Sequence, residues 1–82
     1  MSSQTIANIF RAKNNAGESF AIGNDDDTQA DAAVSAGYTI VTETSPSTDD
    51  GYVVAQRGGQ YIIVANAGGP CAVKTTAEEL AS

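Results

Sequence analysis

Residues 52–66 read YVVAQRGGQYIIVAN. Two runs of β-branched and aromatic residues flank Gly58-Gly59, and a glycine pair supplies the positive φ that a two-residue hairpin turn requires. Placing the turn there fixes the register of everything around it, because side chains alternate between faces with period two. Arg57 then faces Gln60, Ala55 faces Ile62 and Val53 faces Val64, all on one side of the ribbon. The opposite side carries Tyr52, Val54, Gln56, Tyr61, Ile63 and Ala65. Both sides are apolar along much of their length. Strands of that kind belong to sheets covered on both faces. One side is expected to form the chain's own core. The other is closed either by the chain itself, in a small barrel or sandwich, or by a partner, because an open face of Val, Ile and Tyr would be a sizeable apolar patch.

Outward from this hairpin the chain is broken at regular intervals. Upstream, GYTIVTETS (residues 37–45) predicts a strand from Tyr38 to Thr44, rich in β-branched residues. SPSTDDG, residues 45–51, reads as a loop. Downstream, AGGP ends the hairpin, and CAVKT, residues 71–75, is a short strand whose preceding proline suits an edge or a strand start. Thr76 with Glu79 forms a capping box over the last residues, which are expected to be either a final helical turn or a frayed tail. Near the start, residues 6–13 and 18–22 read as the arms of another hairpin, with NNAG as its turn, although alternation in the first arm is imperfect.

The segment GNDDDTQADAAVSAGY, residues 23–38, raises the question of a metal loop. A calcium loop of the EF-hand type needs oxygen ligands at positions 1, 3 and 5, glycine at 6 and a bidentate glutamate at 12. Aligning Asp25 and Asp27 to positions 1 and 3 puts Ala30 where the glycine is required and Ala36 where the glutamate is required. A helix explains the segment better. Asp27 or Thr28 can cap its free N–H groups, and the carboxylates lie beside the positive end of the dipole. Ala30, Ala33 and Val34 form a narrow apolar stripe, and Gly37 stops the helix.

Chemistry has little to draw on. There is no histidine, which removes Ser-His and Cys-His nucleophilic pairs and every imidazole metal ligand. The single cysteine, Cys71, excludes both an internal disulfide and a zinc knuckle, and is expected to be a buried structural thiol. The carboxylate pairs sit in polar stretches with no apolar pocket to raise a pKa. RGG and AGGP are too short for a phosphate-binding loop. No catalytic residue, metal ligand or cofactor site is expected, and the protein is not expected to be an enzyme.

Ten acidic residues against four basic ones give a net charge of −6, and no Lys or Arg lies between Asn14 and Gln56. Such a field repels nucleic acid and anionic membranes. With 41% apolar and 17% charged residues the chain is too apolar for disorder. It contains no apolar run of membrane-spanning length and no basic-then-apolar leader, so it is expected to be soluble and cytoplasmic on synthesis.

The expected fold is one α+β domain over residues 1–82 with short flexible ends. It has a mostly antiparallel sheet of five or six short strands, with a small open barrel as the variant. One short helix lies between the second and third strands. The expected function is that of a structural protein docking on a larger protein assembly, or on copies of itself. Its contact residues would be Tyr52, Val53, Val54, Tyr61, Ile62 and Ile63. Small acidic accessory proteins that decorate or cement virus capsids share this size and composition, which makes a virion the most concrete setting. The alternative is an acidic regulator competing for a basic surface through Asp25 to Asp31 with Asp49 and Asp50.

Overall fold

The computed structural model describes residues 3–22, 29–43, 52–65 and 72–81. In chain order these form helix α1 (Ser3–Asn15), helix α2 (Gln29–Ser35), strands β1 (Thr39–Glu43), β2 (Tyr52–Arg57), β3 (Gln60–Ala65) and β4 (Ala72–Thr75), and helix α3 (Ala77–Leu80). The four strands make one antiparallel sheet in the order β1-β2-β3-β4, each strand beside its neighbour in sequence.

The central hairpin has the expected register. Val53 lies opposite Val64, Ala55 opposite Ile62 and Arg57 opposite Gln60. Gly58 has φ +62 and Gly59 is not in the positive region, the pattern of a type II′ turn. β4 adds to β3 with Val73 opposite Ile63 and Lys74 opposite Ile62. On the other side β1 joins β2, but its register slips between Ile40, opposite Ala55, and Thr42, opposite Val54. Val41 is therefore the extra residue of a bulge in an edge strand.

Each face of the sheet has its own cover. On one face Val53, Ala55, Ile62, Val64 and Ala72 pack with Ala32 and Ala33 of α2, Tyr38 and Ile22. On the other, Val54, Ile63 and Val73 pack with Ile6 and Phe10 of α1 and Leu80 of α3. Tyr52 joins this second core, its ring 5.1 Å from that of Phe10 at an interplanar angle of 48°. The result is a layer of helix on each side of a four-stranded meander.

The first expected hairpin is the main correction. Residues 3–15 are helical, and the expected second arm is reduced to one isolated bridge, in which Phe20 and Ala72 exchange both backbone hydrogen bonds at 2.8 Å. Ile6, Ile9, Phe10 and Lys13 recur at helical spacing, and Ile6 and Phe10 are buried. The NNAG sequence closes this helix instead of turning a hairpin. Gly17 has φ +78, its N–H donates to Asn14 O at 3.1 Å, and the Glu18 N–H donates to Lys13 O at 3.0 Å. That is a Schellman motif, and Gly37 repeats it at the end of α2 with φ +97, Gly37 N–H to Val34 O and Tyr38 N–H to Ala33 O. Glycine in a left-handed conformation serves a helix end and a tight turn equally well, so the residue type alone does not separate the two.

With that segment helical, the described sheet has four strands, not five or six, and α2 precedes the whole sheet instead of lying between its second and third strands. α2 buries Ala32 and Ala33 but leaves Val34 55% exposed, so Val34 is not part of the packed stripe. The N-cap of α3 is present as half of the box: Thr76 Oγ1 accepts from the Glu79 N–H at 3.1 Å, while the Glu79 carboxylate meets Thr76 Oγ1 and Lys13. The proposed caps Asp27 and Thr28, the loop with Asp49 and Asp50, and Cys71 lie outside the described residues. Among the described residues no helix is long and apolar enough to cross a membrane.

Candidate functional site

The six residues expected to make contacts divide sharply. Val53, Val54, Ile62 and Ile63 are each 3% exposed or less and belong to the chain's own two cores. Their burial needs no partner, because α2 covers one face and α1 with α3 the other. Tyr52 and Tyr61 remain half-buried on the α1 side, where both pack against the second core. The sheet faces thus provide little surface for docking in the folded chain.

Among the described residues the outer edge of β1 is left unpaired. In the sheet order β1 is terminal, with β2 as its hydrogen-bonded neighbour and no strand on its other side among the described residues. An edge of this kind presents backbone N–H and C=O groups outward. The opposite edge, β4, is partly closed by the Phe20 bridge. The two large apolar residues exposed among those described, Val34 at 55% and Val41 at 42%, lie on α2 and β1, which pack against each other.

Both positions follow from local sequence. Along residues 38–41, Tyr38 and Ile40 pack into the α2-side core while Thr39 and Val41 alternate with them and are exposed. The bulge then sets Val41 apart from the ladder. A valine in the polar register of a strand was the available signal for this surface. Val34 carried no comparable signal, since helical spacing placed it on the expected stripe.

Among the described residues no three Asp, Glu or Cys side chains come together as a metal-binding group. Asp31 is exposed on α2, and the remaining aspartates of the acidic alternative lie outside the described residues. At the turn end of the hairpin, Arg57 lies over the Tyr38 ring, its Cζ 4.5 Å from the centroid, and its Nη1 donates to Ala36 O at 2.9 Å. The guanidinium thereby satisfies a carbonyl left open at the end of α2 and ties the hairpin to that helix. No family model matches the chain, and no curated protein or solved structure matches it either.

Proposed function

We propose that this chain is a non-enzymatic interaction protein that docks on a larger protein assembly through the open edge of β1. The observation that carries the reading is a terminal strand that exposes Val41, packed beside the helix that exposes Val34. A partner strand or loop laid along β1 would pair its outward backbone groups, and the two valines would add apolar contact on either side. The absence of histidine and the net charge of −6 support a binding role over catalysis and over nucleic-acid contact. Decoration or cementing of a capsid is the most concrete form of the reading, and its support is size and composition.

The test compares the wild-type chain with Val41→Lys. A lysine at an exposed edge position should leave the melting temperature nearly unchanged while obstructing strand addition. Wild-type chain added to an extract of the native source should sediment with a high-molecular-mass fraction, and should do so at both low and high salt, because apolar and backbone contacts are weakly screened. Val41→Lys should stay in the light fraction. Equal sedimentation of the two would refute the β1 edge. Binding that collapses as salt rises would instead favour the acidic regulator.

A further inference from the structure

Basic residues are scarce in this chain, yet their placement is not scattered. Three of the four, Lys13, Arg57 and Lys74, line a single open concavity of about 560 Å³. They come from three separate elements: α1, the end of β2 and β4. Their convergence in a molecule of net charge −6 means that local attraction for an anion opposes the overall field.

The three cations are not equivalent. Lys13 is paired with Glu79 across 3.2 Å. Arg57 is held in place by the Tyr38 ring and the Ala36 carbonyl, which orients the guanidinium without neutralising it. Lys74 is exposed and forms no hydrogen bond or ion pair with a described residue. Glu18 also lines the concavity and offsets one positive charge. With Lys13 balanced by Glu79, the remaining charge is close to that of a single cation. Phe20, half-buried, supplies an apolar wall, and Gln60 contributes an amide. The volume suits a small molecule.

We propose that this concavity binds a small monoanion, a carboxylate on an apolar or aromatic body, with Lys74 and Arg57 holding the carboxylate and Phe20 contacting the body. The charge balance favours a single carboxylate over a phosphate dianion, and the acidic surroundings disfavour a polyanion. No residue of β1 lines the concavity, nor does Val34, so the proposal stands or falls independently of the docking reading.

The probe is benzoate, titrated into the 82-residue chain and followed by amide NMR shifts, with benzamide as the neutral isostere and inorganic phosphate as the competing anion. Benzoate should perturb Phe20, Gln60 and Lys74 saturably, with a dissociation constant on the order of millimolar for so small a ligand. Benzamide should not do so, and phosphate should bind more weakly. Lys74→Gln should weaken benzoate about fivefold, the effect of losing one exposed charge contact. Arg11→Gln changes net charge equally at the one base outside the concavity and should leave affinity unaltered. No saturable shift at these residues, equal binding of benzamide, tighter binding of phosphate, or equal effects of Lys74→Gln and Arg11→Gln would each overturn the proposal.

Discussion

Replacing Ile62 and, separately, Ile63 with alanine tests whether the chain closes both faces of its sheet by itself. The two residues are adjacent, both fully buried, and point into opposite cores. Each substitution removes three carbons, a transfer loss of roughly 2–2.5 kcal/mol at ~0.8 kcal/mol per methylene. A residual cavity of ~40 Å³ would add about 1 kcal/mol at ~24 cal/mol per Å³. Each variant should therefore lose about 3–4 kcal/mol, and the two losses should agree within about 1.5 kcal/mol, since the difference depends on how far each site collapses. For 82 residues the total stability expected is about 4–12 kcal/mol at roughly 0.05–0.15 kcal/mol per residue. If an alanine variant fails to fold, Ile62→Val and Ile63→Val reduce the loss to about 0.5–1.5 kcal/mol each and keep the comparison. The assay is urea unfolding of the isolated chain, compared at constant slope. A loss under about 1 kcal/mol for one alanine variant beside a full loss for the other would refute the argument. It would mean that one face is covered only when a partner is present.

Gly37→Ala should cost about 1–2 kcal/mol because φ +97 is left-handed, whereas Gly59→Ala, outside the positive region with nothing near its added carbon, should cost much less; equal costs in thermal unfolding would contradict the Schellman end of α2. Thr75 Oγ1 is buried without a hydrogen-bond partner among the described residues, so Thr75→Val should stabilise the chain by about 1 kcal/mol, and a comparable loss would reveal a partner for that hydroxyl. Thr76→Ala removes the cap of α3 and should cost about 1 kcal/mol by denaturant unfolding, with no change arguing that α3 is held by Leu80 alone.

The central hairpin was legible in the sequence because its determinants are local. Gly58-Gly59 sets the turn, the turn sets the register, and period-two alternation assigns Ile62 and Ile63 to opposite faces. The same holds for the end of α2 at Gly37 and the Thr76–Glu79 cap, each decided within a few residues. Residues 3–15 were not legible in this way. Ile6, Ile9, Phe10 and Lys13 fit a helix, while the broken alternation and NNAG fit a hairpin, and local pattern leaves the two open. Tertiary packing decided it: as a helix, the segment presents Ile6 and Phe10 together to the sheet face formed by Val54, Ile63 and Val73. That face had to be covered, and whether the cover came from this chain or another was a question about residues some fifty positions apart. The surface was decided at the same level. Val41 is exposed because β1 ended at the edge of the sheet and bulged there, and Lys13, Arg57 and Lys74 share one concavity only because three distant elements meet. Sequence neighbours determine turns, caps and register through short-range sterics and hydrogen bonds. Which faces remain open, and which charges converge, depends on burial summed over the whole fold.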